Sequence, residues 1–353
     1  MPGSLDAGFM TEHAFLKGST ADGPVKVHFL LLPDFSLTAF TAAIEPLRLA
    51  NYVSGREVYY WETCALQGQP VKASLGATIL PFSAVENVRY PDNVVLCGGL
   101  GGHKFHDREL VRTVKRWANA GTHLGTLDSG TFILARAGLL DDHRCTLHWE
   151  FLDAFVEEFP EVDVRPSLYE IDRRMFTCAG GDAAGDMMLN EIVGRLGPEV
   201  AGAVSEQLMH ERIRDGSDIQ HLPVHARMRI SHPQLVKAIR EMEQNMEDPL
   251  TREEIARRVG LSQRQLERLF RRYLNTTPAR HYLRLRLLRA RHLLLQTTLS
   301  ITGIAVASGF CSTSHFSRCY REVFGHSPRD ERRWSDDSTV FPVNEPEQQA
   351  IGF

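Results

Sequence analysis

The chain has 353 residues, 43% hydrophobic and 24% charged, with a net charge of −4. At roughly 100–200 residues per domain that length suggests two domains, and the apolar share excludes a chain disordered throughout. No run approaches the roughly 18 apolar residues of a membrane helix, and Asp6 and Glu12 stand where a secretory signal would be basic and apolar. The six cysteines, at 64, 97, 145, 178, 311 and 319, form no CxxC pair, which argues against both a disulfide framework and a zinc cluster. The expectation is a soluble, cytoplasmic protein with no membrane partner, no metal and no cofactor.

Residues 1–24, rich in Gly, Ser and Thr, read as a flexible leader. Residues 25–33 (VKVHFLLLP) form an apolar run with the character of a buried parallel strand. Helical spacing follows in Phe40, Ile44, Leu47 and Leu49. A second buried strand, NVVLC at 93–97, ends in Gly98-Gly99. A helical stretch at 110–120 leads into a third strand at 122–127, which turns sharply at Asp128-Ser129-Gly130 into a helix at 131–137. Further strands are expected at 162–165, 169–171 and 175–178, then Gly180-Gly181 and a helix near 186–196. Strands alternating with helices predict an α/β three-layer sandwich with a mostly parallel sheet over residues 25–212. Residues 213–230 are polar and unpatterned and read as a linker. An all-α domain occupies 231–334, and the tail 335–353 is expected to be disordered.

The net charge hides an asymmetry. Residues 231–334 carry 19 Lys/Arg and 10 Asp/Glu, a net of +9, which leaves −13 on the remainder. Such a split suggests a nucleic-acid module joined to an acidic partner domain. An internal echo in the basic part strengthens this. Ile255-Ala256-x-x-x-Gly260-Leu261 recurs as Ile304-Ala305-x-x-x-Gly309-Phe310. Thr251-x-x-Glu254 and Ser262-x-x-Gln265 have the form of capping boxes, and Ser312 matches Ser262. Leu266, Leu269 and Phe270 form a buried stripe that returns 50 residues later as Phe316, Cys319 and Tyr320. The remaining faces carry Gln263, Arg264, Glu267, Arg268 and Arg271 in the first unit. In the second they carry Thr313, Ser314, His315, Ser317, Arg318 and Arg321. Arginine can donate two bonds to a guanine edge, and Ser, Thr and Gln reach phosphates or bases. Residues 277–296 read as one helix of about 30 Å. Successive major grooves on one face of B-DNA lie about 34 Å apart, so this strut can present two recognition helices to them.

The stretch from Thr251 to Arg333 resembles the AraC/XylS DNA-binding domain. Its second-unit signature runs Ile304-Ala305…Gly309-Phe310…Ser314-His315-Phe316-Ser317-Arg318…Phe324-Gly325-x-Ser327-Pro328. The resemblance implies that Arg264, Glu267 and Arg268 face bases in the first unit and Thr313, Ser314 and Arg318 in the second. Ser262, Gln263 and Ser312 complete the expected DNA-contacting set. Gly303 departs from the pattern at a helical position and should cost roughly 1 kcal/mol of propensity.

Residues 25–196 resemble the PfpI-like branch of the class I glutamine-amidotransferase fold, and in particular the sensor halves of GlxA-type AraC regulators. The carrying segments include Pro33-Asp34-Phe35-Ser36, Glu45-Pro46-Leu47-Arg48-x-Ala50-Asn51, Leu127-Asp128-Ser129-Gly130-Thr131, Thr146-x-His148-Trp149 and Thr177-Cys178-Ala179-Gly180-Gly181…Asp186. Enzymes of this fold place a cysteine nucleophile on the strand-to-helix elbow, with a histidine to accept its proton. Here the elbow carries Asp128, His148 survives, and Ala39 aligns with the activating acid, so no catalytic residue is assigned. An amidase-like or hydrolase-like activity stays open as the alternative. A ligand pocket is expected at the strand ends, built from Phe35, Gly99, Asp128, Ser129, His148 and Trp149. Asp128 favours a cationic group and the elbow amides a carboxylate, which suggests a small zwitterionic or cationic metabolite. Trp149 or Phe35 can add cation–π attraction. For Trp149 a core role, and for His148 a relic of the enzyme site, are the competing readings. Glu45 is expected to pair with Arg48. The resemblance implies a regulator of amino-acid or quaternary-amine catabolism, of the arginine, glycine betaine or carnitine type. It further implies a homodimer that binds double-stranded promoter DNA and, as an activator, RNA polymerase. A constitutive DNA-binding protein is a further alternative.

Overall fold

The computed structural model describes residues 14–21, 23–218, 220, 232–297 and 299–337. They fall into two compact units, Met1–Gln220 and His221–Phe353.

In the first unit the chain runs β1 (Val25–Leu31), α1 (Leu37–Ser54), β2 (Tyr59–Ala65), the short strands β3 (Val71–Lys72), β4 (Thr78–Ile79) and β5 (Ser83–Ala84), then β6 (Asn93–Cys97), α2 (Arg108–Asn119), β7 (His123–Leu127), α3 (Thr131–Arg136), β8 (Arg144–Cys145), α4 (Leu152–Glu158), β9 (Asp163–Val164), β10 (Tyr169–Asp172), β11 (Met175–Cys178), α5 (Ala183–Leu196) and α6 (Pro198–Gln207). Seven strands form one sheet in the order β10-β11-β7-β6-β1-β2-β5. All neighbours in it are parallel except β10 and β11. Because side chains alternate across a strand, β1 sends Val25, Val27, Phe29 and Leu31 into one apolar cluster and Leu30 into another. The first cluster packs against α1, α5 and α6 through Leu47, Met187 and Val204. The second packs against α2, α3 and α4 through Trp117, Phe132 and Phe155. Helices therefore cover both faces, which is why the strands read as continuous apolar runs. The strand expected at 162–165 shrinks to β9, which pairs with β8 outside the main sheet.

Two boundary expectations are corrected. In the leader expected at 1–24, Phe15 and Leu16 are buried. The buried Glu191 carboxylate accepts both of their amides at 2.7 and 3.0 Å and pairs with Arg195 at 2.6 Å. Asn93 accepts the Lys17 amide at 2.7 Å, and Phe15 packs on Phe176 at 4.8 Å. In the linker expected at 213–230, the first residues belong to the sandwich. Asp186, fully buried, accepts the Arg214 amide at 2.8 Å and its Nε at 2.7 Å, while the Leu168 amide donates to Gly216 O at 2.8 Å. Buried polar groups need partners, and these segments supply them. The rest of the expected leader (1–13), most of the linker (221–230) and residues 338–353 of the tail lie outside the described residues.

The second unit is helical: α7 (Pro233–Gln244), α8 (Arg252–Arg258), α9 (Gln263–Leu274), α10 (Pro278–Gln296), α11 (Ile301–Ala307), α12 (Thr313–Phe324) and α13 (Pro328–Asp337). The last helix carries ordered backbone past the boundary expected at 334. Two apolar clusters share α10, which gives Tyr282 to the first and Leu287, Ala290, Leu293 and Leu294 to the second.

Candidate nucleic-acid interface and strand-end site

Both helix-turn-helix units close as their sequences dictate. Thr251 with Glu254 and Ser262 with Gln265 form complete capping boxes at α8 and α9. Ser300 and Ser312 cap α11 and α12. Gly260 and Gly309 take left-handed φ values of 70° and 75° in the two turns, a region unstrained only for glycine. The second turn has one more residue, Cys311, before its cap. On α9 and at its start, Ser262, Gln263, Arg264 and Arg268 are exposed. Glu267 is half-buried and its carboxylate meets Arg252 at 3.3 Å. At α12, Ser312, Ser314 and Arg318 are exposed and Thr313 is half-buried. Ser314, Ser317, Arg318, Arg321 and Glu322 line a concave surface of about 430 Å³.

Sequence reasoning missed the brace behind these faces. Arg286 of α10 donates to Ser308 O at 2.8 Å and Gly309 O at 2.5 Å, and its guanidinium lies 4.3 Å from the centre of the Phe310 ring. A Cβ on Gly309 would lie 2.4 Å from Met246 O and 2.6 Å from Pro249 Cγ. The loop between α7 and α8 thus presses on the second turn and ties the two units to each other. Farther along α10, Arg291 meets Glu331 of α13 at 2.8 Å, and Glu331 also accepts from Tyr320 and His326. Burial opposes ionisation of Glu331, but hydrogen bonds from Tyr320, His326 and Arg291 outweigh it and hold the carboxyl below its usual range. The only lexical hint of this was an ordinary Arg/Glu content; their pairing across 40 residues carries no local signature.

In the first unit β7 ends at the elbow. Asp128 has φ of 59°, left-handed for a residue with a side chain. Ser129 is fully buried: its hydroxyl donates to Gly99 O at 2.6 Å and accepts Gly99 N at 2.9 Å. This is why Gly98-Gly99 must follow β6. A Cβ on Gly98 would lie 2.2 Å from Gly130 N, and one on Gly99 would lie 2.2 Å from Asp34 O. Asp128 itself is 9% exposed, and its Oδ1 has no hydrogen-bond partner among the described residues. Burial pushes its pKa up to about 7; the Ser129 N–H donates to the carboxyl and opposes the rise, and the Glu150 carboxylate adds to it. Gly180, at the end of β11, lies against the Asp128 side chain, so that a Cβ there would sit 3.1 Å from Oδ2.

The other expected pocket residues divide. His148 is half-buried, 3.9 Å from Glu150, and burial lowers its pKa to about 4. Trp149 stacks 5.3 Å from the His148 ring and is 36% exposed, so it does not belong to the core. Phe35 is corrected: its backbone bridges to Gly99, but its ring is fully buried edge-on against Phe40 at 5.6 Å, which removes it as a stacking surface. Glu45 and Arg48 do pair, at 2.9 Å. Ala39 is buried in the core. Cys178 is fully buried with its pKa pushed up to about 12 by burial, and Cys97 is likewise raised. A thiol so placed is a poor source of thiolate.

Residues 25–193 match the DJ-1/PfpI family and residues 255–333 match a helix-turn-helix domain. The chain is 46% identical over 310 residues to the HTH-type transcriptional regulator GbdR of Pseudomonas aeruginosa, covering 88% of this chain and 84% of that protein. The chain belongs to the AraC family of transcriptional regulators. A second relative is the HTH-type transcriptional regulator CdhR of the same organism, 43% identical over 318 residues, with 90% and 93% of the two chains covered. A third is the HTH-type transcriptional regulator GlxA of Rhizobium meliloti, 36% identical over 311 residues, with 88% and 96% covered. As an AraC-family member the chain is a DNA-binding regulator, with its two helix-turn-helix units in the second compact unit and a DJ-1/PfpI-like sandwich in the first. No helix among the described residues is long and apolar enough to cross a membrane.

Proposed function

We propose that this regulator is cytoplasmic and ligand-responsive. In this reading the sandwich binds a small zwitterionic or cationic metabolite of the amino-acid or quaternary-amine class at the Asp128 elbow, without catalysing a reaction on it. The observation that carries the reading is the buried Asp128 carboxyl with an unpartnered Oδ1. Such a group costs free energy unless something binds it. Asp128 stands where the enzymes of this fold place their thiol, and the thiols of Cys97 and Cys178 are buried and raised, which supports sensing over turnover. The faces carrying Arg264, Glu267 and Arg268 in the first unit and Thr313, Ser314 and Arg318 in the second read bases, with Ser262, Gln263 and Ser312 completing the DNA-contacting set. The protein acts as a homodimer and activates a catabolic operon through RNA polymerase. A ligand shifts the DNA-competent population only by its differential affinity for that state.

The test is thermal unfolding of the full chain against a panel of amines and amino acids. A ligand at 100 times its dissociation constant adds about 2.7 kcal/mol. A responsive ligand must also change promoter affinity in a gel-shift titration. Silence across the panel, with promoter binding intact, would support the constitutive alternative. Release of ammonia from amide substrates would revive the hydrolase alternative.

A further inference from the structure

The elbow is more selective than a general zwitterion site. Its donors are already engaged. The Ser129 N–H is turned to the Asp128 carboxyl. The Ser129 hydroxyl is locked between the N–H and C=O of Gly99. The Gly130 nitrogen is covered by Gly98, whose Cα approaches so closely that a Cβ would sit 2.2 Å away. The elbow amides, expected to attract a carboxylate, are therefore not presented to one. The charges nearby point the same way. Glu150 acts on Asp128 as a like charge, and His148, whose pKa burial holds near 4, brings no positive charge at neutral pH. The indole of Trp149 stands beside His148, partly open to solvent.

Among the described residues no hydrogen-bond donor reaches the second carboxyl oxygen, Asp128 Oδ1. Asp128 Oδ1 is buried and unpartnered, so an occupant that only neutralises charge leaves the oxygen without a bond. A tetraalkylammonium has no N–H and leaves it so; a primary ammonium or a guanidinium satisfies charge and hydrogen bond together. We infer that the elbow receives a cation bearing N–H donors, a protonated amine or a guanidinium, with one N–H on Asp128 Oδ1, and that fully methylated ammonium and carboxylate groups are excluded from this position. The inference rests on the sensory reading and narrows it.

Calorimetric titration of the full chain at pH 8 with butylamine, its N,N,N-trimethyl derivative, agmatine and butyrate tests this. Butylamine or agmatine should bind, the trimethyl derivative at least tenfold more weakly, and butyrate should give no heat. Asp128→Asn should abolish cation binding while leaving promoter binding intact. If that variant does not fold, Glu150→Gln should weaken the N–H cations severalfold. Equal or tighter binding of the trimethyl derivative overturns the inference, as does preferred binding of butyrate. Unchanged cation affinity in Asp128→Asn overturns it too. If all four probes fail but promoter affinity responds to a small-molecule fraction of cell extract, this ligand class is wrong and the sensory reading stands. If that response is missing as well, the sensory reading falls with it.

Discussion

Asp128 makes the stability of the sandwich depend on pH. Its folded pKa, near 7, lies above the ordinary carboxylate value. The folded chain therefore holds a proton that the unfolded chain releases between about pH 4 and 7. The stability that comes from this proton is fully present below pH 4 and is lost as pH rises through 7. A shift of this size corresponds to roughly 4 kcal/mol at most. The groups facing Asp128 are the Ser129 N–H, the Glu150 carboxylate, the buried Cys178 thiol and the Gly180 backbone; His148 nearby stays neutral above pH 4. Asparagine keeps the shape and tolerates a left-handed φ. Asp128→Asn should thus raise the melting temperature of the sandwich at pH 8 and leave it nearly unchanged at pH 4.5. A wild-type sandwich whose stability does not fall between pH 5 and 8 would contradict the protonated elbow. On the DNA side, Arg318 is exposed beside Ser314 in the α12 concavity. Arg318→Ala should cost about 1–3 kcal/mol on the best site and relax preference at one position. Uniform weakening on every sequence in a binding-selection experiment would place that guanidinium on phosphate instead.

At the scale of elements, the two turn glycines look alike in sequence and differ in their surroundings. Gly260 has open space where a Cβ would go, so Gly260→Ala meets only the left-handed backbone penalty, about 1–2 kcal/mol. Gly309 abuts Met246 O and Pro249 at distances no Cβ tolerates. Gly309→Ala must therefore push the α7–α8 loop away and should lower the calorimetric melting temperature of the second unit well beyond Gly260→Ala. Equal effects would mean that the loop yields freely. The repeat spacing revealed both turns, both capping sets and the buried stripes, because those signals are local and periodic. It did not reveal the Met246–Gly309 contact or the Arg291–Glu331 pair, which join residues far apart in sequence. The same limit applies in the sandwich. Apolar runs made β1 and β6 legible, and the Asp128-Ser129-Gly130 turn marked the end of β7 and the elbow. The Gly-, Ser- and Thr-rich surroundings of residues 14–18 and the polar composition of residues 213–218 concealed segments anchored by the buried carboxylates of Glu191 and Asp186. Phe35 was misplaced for a related reason: an aromatic residue at a strand end reads alike whether its ring turns to the core or to a ligand.

The distribution of charge and the rigidity of the second unit together set how the whole molecule meets DNA. The acidic remainder of the chain, at −13, is repelled by phosphate, so the +9 segment supplies the attraction. Within that segment the two reading faces are joined by α10, 19 residues long and so about 28 Å. They are joined a second time by the loop against Gly309 and the Arg286 brace. Two connections leave little freedom for one face to move along the groove while the other stays bound. The faces should therefore match subsites about one helical turn apart, roughly 34 Å, and no other spacing. Inserting 5 base pairs between the two halves of one protomer's site turns the second subsite to the far side of the duplex. Inserting 10 base pairs restores its orientation but moves it another 34 Å away, beyond what a 28 Å helix reaches. Both insertions should therefore reduce affinity to that of a single unit, and both should flatten the dependence of log K on log salt because fewer phosphates are neutralised. A flexible tether predicts a different pattern, in which the 10-base-pair insertion recovers much of the affinity. Fluorescence anisotropy titrations of the three duplexes at two salt concentrations separate these cases, and recovery at 10 base pairs would show that α10 and the Gly309 contact do not hold the two faces as one reader.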